Sequence, residues 1–348
     1  MSTAGNDPAR SRRRRWIALG TSTALSLLAA EILVRSWIGA PLPEREPLAL
    51  VRAHPTRGWE MVPGSEHYTY HHRVEVNSLG LRGPELGARR PGEQRVLFLG
   101  DSLTYGQGVG DDETVPAALE AALRARTGAD WTVVNAGLRA YGTEQELALL
   151  EELGARIDPD VVLLGWYWND VQERPIEATN AEFAGKGEFY FDTGNRLEGL
   201  RGLVWHGREL LRRSGLVMLA HDLVAPKGGL YAPEVHEEGL QRFVTQCARF
   251  REQCKGLGAL GLVAIFPDSQ RVLGGEATRA YEERAAKVAG SQGLVVIELL
   301  SPLQQLVASH GRLPVLPFDG HYDAAANRAM GAYLAERLIA LDVPKRAE

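Results

Sequence analysis

The chain has 348 residues, 45% of them hydrophobic and 24% charged, with a net charge of −5. That is enough apolar chain for a full core, and it excludes disordered and fibrous classes. The first fifteen residues carry +4 of the charge through Arg10 and Arg12 to Arg15, so the remainder holds −9. Basic charge confined to one end excludes a nucleic-acid partner.

In chain order, Arg12-Arg-Arg-Arg15 is followed at once by an apolar stretch from Trp16 to Val34. As a helix this stretch is about 28 Å long, close to a hydrocarbon core of roughly 30 Å. Trp16 and Trp37 bracket it as interfacial aromatics, and the arginines predict that residues 1–15 stay in the cytoplasm. The expected order is a basic tail (1–15), a transmembrane anchor (16–38), and a chain that is otherwise extracytoplasmic, at the inner membrane. A cleavable signal peptide is the competing reading; Leu28 ahead of Ala30, and Pro41 after Ala40, make poor cut sites. Glu31 and Arg35 stand four apart and can pair.

Residues 40–50 are rich in proline and charge and read as a stiff tether. The run Tyr68 to Val76 is β-prone and suits a hairpin. His71 and His72 are adjacent, so in a strand they face opposite ways and do not share a site. Residues 39–91 together read as tether and β-prone extension.

From residue 95 strands and helices alternate. Val96-Leu-Phe-Leu99 has the pattern of a strand buried on both faces, and Gly100-Asp-Ser102 turns out of it. A helix is expected over 115–126, with Pro116 in its first turn and Gly128 after its end. A strand follows at Trp131 to Asn135. Thr143-Glu-Gln-Glu146 opens the next helix as a capping box. Strands at 161–166, 262–266 and 294–297, and helices at 239–256, 277–289 and 324–341, complete the pattern, Asp323 capping the last. The region 171–238 breaks the rhythm. It reads as an insertion, with an apolar-basic segment from Leu203 to Val224 that could cover a substrate or simply pack. This alternation predicts an α/β fold, a flavodoxin-like three-layer α/β/α sandwich on a five-stranded parallel sheet, spanning 92–342 after the single transmembrane helix.

Cys247 and Cys254 lie seven apart on an expected helix, roughly 10 Å along its axis and too far for a disulfide. Strand ends at one sheet edge offer Ser102, Gly137 and Asn169, and the last loop offers Phe318-Asp-Gly-His-Tyr322. Acyl transfer needs a nucleophile, a base, an orienting carboxylate and oxyanion donors, and this set supplies a candidate for each. The Gly-rich loop after Ser102 lacks the lysine and spacing of a phosphate-binding loop.

Gly100-Asp-Ser102-Leu, Asn135-Ala-Gly137, Asn169-Asp170 and Asp319-Gly-His321 resemble the four sequence blocks of the SGNH, or GDSL, hydrolases. The resemblance implies Ser102 as nucleophile and His321 as general base. It implies the backbone N–H groups of Ser102 and Gly137 and the Asn169 side-chain amide as the oxyanion hole, with no metal or cofactor. One position departs from the family pattern: the acid usually stands three before the histidine, where this chain has Phe318. Asp319, two before, is the nearest carboxylate, and Asp170 and Asp268 are the weaker substitutes. Glycine at 137 would leave room for the substrate oxygen. Asn77-Ser-Leu-Gly-Leu-Arg-Gly83, together with the anchor, resembles a bacterial membrane-tethered subgroup. The implied activity is ester hydrolysis on a small molecule, glycan or lipid. An acyltransferase, a lipid esterase and a non-catalytic envelope protein that keeps the fold are the other readings.

Overall fold

The computed structural model describes residues 8–172, 175–193, 199–224, 233–276 and 279–342. Its strands are β1 (Leu50–His54), β2 (Gly58–Met61), β3 (Glu66–Thr69), β4 (His72–Glu75), β5 (Gln94–Gly100), β6 (Trp131–Gly137), β7 (Val161–Trp166), β8 (Phe189–Tyr190), β9 (Leu260–Ile265) and β10 (Val295–Glu298). The helices are α1 (Pro8–Trp37), α2 (Ser102–Tyr105), α3 (Val115–Thr127), α4 (Thr143–Ile157), α5 (Ile176–Phe183), α6 (Gly199–Leu211), α7 (Gly215–Val224), α8 (Pro233–Leu257), α9 (Ser269–Val272), α10 (Arg279–Ser291), α11 (Leu300–His310) and α12 (Ala324–Ala340). They form two compact units.

The larger unit is built on a five-stranded sheet in the order β10-β9-β7-β5-β6, with every pairing parallel. Counted along the sheet this is 2-1-3-4-5, the flavodoxin-like order the strand–helix alternation predicts. All seven residues of β5 are buried because it lies between β6 and β7 and is covered on both faces. Val96 and Phe98 pack toward α3, α11 and α12, whereas Leu97 and Leu99 pack toward α4 and α8. The period-two alternation of a strand thus feeds two cores at once. Cys247 and Cys254 are free thiols on α8, buried in the second of these cores, where burial pushes both up to about 12.

Three parts of the chain differ from expectation. Helix α11 follows β10 where no helix was anticipated; Leu299 and Leu303 sink into the core, and Gly311 ends it in a left-handed conformation. The stretch read as a tether is already structured by residue 48: Leu48 and Ala49 are buried, and β1 pairs with β2 on one side and with β8 on the other. The insertion is divided, since β8 joins the larger unit while α6 and α7 belong to the smaller one. The β-prone run does form a hairpin, β3–β4, with Tyr70 in its turn at φ +53°.

The smaller unit comprises α1, α6 and α7. Among the described residues α1 is the one helix long and apolar enough to cross a membrane, and none of its apolar window is buried within the protein. By length and composition it is a membrane span or a signal sequence. Near its end, Glu31 accepts hydrogen bonds from Ser214 Oγ (2.9 Å), Gly215 N (2.8 Å) and Leu216 N (3.0 Å), the start of α7. Arg35 pairs with Glu31 at 2.6 Å and donates to the Arg213 carbonyl. A Cβ on Gly215 would meet Val34 Cγ1 at 2.9 Å, so the absence of a side chain lets the two helices approach.

Candidate active site

Ser102 is the first residue of α2, immediately past the carboxyl end of β5. That is the edge and switch point where open α/β sheets place ligands. The short helix is held by its flanks. Asp101 caps it, its Oδ1 accepting from Leu103 N at 2.8 Å. Gly106 closes it at φ +85°, a conformation that favours glycine. Gly100 is needed for a second reason, since a Cβ there would lie 2.1 Å from Thr104 Oγ1.

His321 reaches this serine from the loop before α12: its Nε2 is 2.8 Å from Ser102 Oγ. The other ring nitrogen, Nδ1, lies 2.5 Å from Asp319 Oδ1, and the same oxygen accepts the His321 backbone N–H at 3.0 Å. Two left-handed residues, Phe318 at φ +60° and Gly320 at φ +92°, coil the loop tightly enough to bring a carboxylate two positions upstream back onto the ring. The coil lets a carboxylate at this shifted position meet the ring. Asp170 and Asp268 are used elsewhere: Asp170 accepts from Tyr167 N, and Asp268 accepts from the Tyr167 hydroxyl and caps α9.

The second oxygen of Asp319 is also occupied. Tyr70 donates its hydroxyl to Oδ2, and Gln107 Nε2 donates to the same atom at 3.1 Å. Gln107 in turn accepts from Arg139, whose guanidinium pairs with Asp192 at 2.6 Å. Burial pushes the Asp319 carboxyl up, but the adjoining His321 and the Tyr70 hydroxyl outweigh it and hold the group down to about 2. Burial and the neighbouring Asp319 push the Tyr70 phenol in the opposite direction, well above its ordinary value. A charged Asp319 facing Nδ1–H leaves the Nε2 lone pair free to accept from Ser102, which is the tautomer a general base requires.

The expected oxyanion donors are placed unequally. Asn169 lies in the turn after β7, where its side chain opposes the effect of burial on the Asp101 carboxyl. Burial raises Asp101, against the Leu103 N–H, the nearby His321 and Asn169. Gly137 stands opposite Gly100 in the β5–β6 register, at the same edge as Ser102. Its N–H, however, donates to Asn135 Oδ1 at 3.0 Å. The reason for glycine there also differs from the expected one. A Cβ would fall 2.1 Å from Tyr105 N, so the missing side chain makes room for α2 and not for a substrate oxygen.

Sequence reasoning missed the roles of Tyr70, Gln107 and Arg82. Arg82 is 3% exposed. It donates to the carbonyls of Tyr105 (2.9 Å), Gly106 (2.7 Å) and Val109 (2.7 Å), and pairs with Asp111 at 2.8 Å. These carbonyls end α2 and continue its loop, so Arg82 staples down the segment that carries Ser102. Asn77 shapes the loop that delivers it, accepting from Leu79 N and Leu81 N. The signal was the Asn77–Gly83 block, an arginine framed by glycines. Arg82→Ala should cost about 3–5 kcal/mol by stranding buried acceptors, read as a lower midpoint in urea denaturation.

The sequence model of the GDSL-like Lipase/Acylhydrolase family matches residues 98–329, more than half the chain. The chain belongs to this family. As a GDSL-like hydrolase it is a serine ester hydrolase, and the parallel sheet and the Ser102 turn are those its sequence blocks imply. No curated protein matches the hydrolase. Several solved structures resemble it. One is a psychrotrophic esterase, EstA, from Pseudoalteromonas sp., at 13% identity and TM-score 0.42 over 71% of this chain and 98% of that one. Another is the lipase/acylhydrolase from Enterococcus faecalis, at 16% identity and TM-score 0.41 over 73% and 100%. A two-domain esterase active on acetylated mannans has 14% identity and TM-score 0.43 over 74% and 52%.

Proposed function

We propose that this hydrolase cleaves O-acyl esters through an acyl-enzyme on Ser102, outside the cytoplasm and tethered by α1. The observation that carries the reading is the continuous line Asp319 Oδ1, His321 Nδ1, His321 Nε2, Ser102 Oγ, at 2.5 and 2.8 Å. In the first half-reaction Ser102 Oγ bonds to the ester carbonyl carbon as His321 Nε2 takes its proton. The carbonyl oxygen becomes an oxyanion, facing the Ser102 N–H and the Asn169 amide. Collapse of this intermediate breaks the ester C–O bond, and the leaving alkoxide takes the proton from His321. Water then gives a proton to His321 and attacks the acyl-enzyme, releasing the carboxylic acid and restoring Ser102. Asp319 stabilises the imidazolium in both halves. Gly137 joins the oxyanion set through a three-centre bond that reaches the oxyanion as well as Asn135.

Asn169→Ala should lower kcat about 10²–10³-fold with little change in KM, because its donor acts on charge that exists only in the transition state. An unchanged kcat would remove Asn169 from the oxyanion hole. A series of model esters from acetyl to palmitoyl tests the substrate class. A rate that falls with acyl length supports an O-acylated small molecule or glycan, and one that rises assigns the site to lipid esters.

Retention of α1 rests on Glu31 and Arg35. Cleavage after Ala40 would remove both and strand the first N–H groups of α7. A full-length mature chain by mass spectrometry supports the anchor; a mature chain beginning near residue 41 assigns a cleaved signal peptide.

A further inference from the structure

In the smaller unit, the apolar residues of helices α6 and α7 point outward. Along α6, Leu200, Leu203, Val204, Leu210 and Leu211 recur at helical spacing and are 60–74% exposed. Gly202, Trp205 and Glu209, on the opposite side, are buried. In α7, Leu223 and Val224 are 75% and 84% exposed. An amphipathic helix in a water-soluble protein turns its apolar stripe to the core; this arrangement is the reverse. Four arginines, Arg201, Arg208, Arg212 and Arg213, lie in the same segment, Arg208 and Arg212 pairing with Glu209 at 3.7 and 3.2 Å.

The corner between the two helices is fixed in place. Ser214, Gly215 and Leu216 all donate to Glu31, and Arg213 accepts from Arg35. Glu31 and Arg35 occupy the last two turns of α1. If α1 spans the bilayer with its arginines inside, this corner stands at the outer boundary between acyl chains and headgroups.

We propose that α6 and α7 lie in the outer lipid interface, a second contact with the bilayer built beside the anchor. The apolar stripe enters the acyl region, and the arginines of this segment meet lipid phosphates, the division expected of an interfacial amphipathic helix. This inference rests on α1 being a membrane span.

The test uses the full chain in vesicles of phosphatidylethanolamine and phosphatidylglycerol. Single spin labels are placed by Leu203→Cys, Leu211→Cys, Leu25→Cys on the anchor, and Glu336→Cys on α12. The natural thiols, Cys247 and Cys254, are 0% and 2% exposed and stay unlabelled in the folded protein. Positions 203 and 211 should be more accessible to oxygen than to a water-soluble nickel chelate, as position 25 is, while position 336 shows the opposite preference. Chelate access at 203 and 211 with oxygen access at 25 would overturn the interfacial placement and leave the anchor standing. Chelate access at 25 as well would overturn both. Labels at 203 and 211 shielded from both reagents would mean that protein covers the stripe, which also overturns the proposal.

Discussion

Ser102→Ala is expected to lower ester hydrolysis about 10⁵–10⁶-fold, leaving KM within a small factor of the wild type. In the proposed mechanism alanine removes the atom that forms the acyl bond, and the fold should stay intact because Ser102 Oγ holds no hydrogen bond among the described residues besides that to His321. What remains is the background rate assisted by the oxyanion donors. The effect should not add to that of His321→Ala, because the two groups act in a single proton transfer. Steady-state hydrolysis of p-nitrophenyl acetate by the single and double variants checks this. A double variant much slower than either single one would mean that Ser102 and His321 act separately.

Asp319→Asn should lower kcat by about 10⁴-fold. An asparagine can present its amide N–H to His321 Nδ1, which fixes the ring with its proton on Nε2. In that tautomer the ring can no longer accept from Ser102. Because Tyr70 and Gln107 still hold the other end of the side chain, the geometry should survive while the chemistry is lost. A loss of less than tenfold would take the triad role away from Asp319. The same substitution should alter acid stability. The folded Asp319 carboxyl is held to about 2, below its unfolded value. Its contribution, about 2 kcal/mol, is therefore present above the unfolded pKa and lost as pH falls from about 4 toward 2. Urea midpoints of wild type and Asp319→Asn at pH 7 and pH 3 should diverge less at the lower pH.

The sheet and the serine were legible in the sequence for a physical reason: both are written in local pattern. A run such as Val96 to Leu99 between a charged residue and a glycine has few alternatives to a doubly covered strand. The start of α4 was legible to within one residue: the cap is Gly142, whose N–H donates to Gln145 Oε1 at 3.3 Å, and the expected Thr143–Glu146 box does not form. The carboxylate beside His321 was legible by proximity, but its geometry depends on the left-handed Phe318, which composition does not announce. The roles of Tyr70 and Gln107 were not legible, and Arg82 stood out only as part of the Asn77–Gly83 block, with nothing to say what it holds. Each acts across a long gap in the chain, and a tyrosine in a hairpin turn or an arginine in a glycine-rich loop has no periodic signature. Gly137 shows the converse: the residue was legible, and the reason for it was not. The expected room for an oxygen is filled by the backbone of α2, which only the packed structure reveals. Helix α11 was missed because Leu300–His310 follows a short strand with no polar side-chain cap to mark its start.

Activation of Ser102 as a nucleophile by His321 is tested directly by one measurement. The full-length protein is treated with a serine-directed fluorophosphonate, and the modified peptide is identified by mass spectrometry. A single adduct on Ser102 in the wild type, absent in Ser102→Ala and formed far more slowly in His321→Ala, is the predicted result. No adduct on the wild type, or equal labelling of Ser102→Ala, would contradict it.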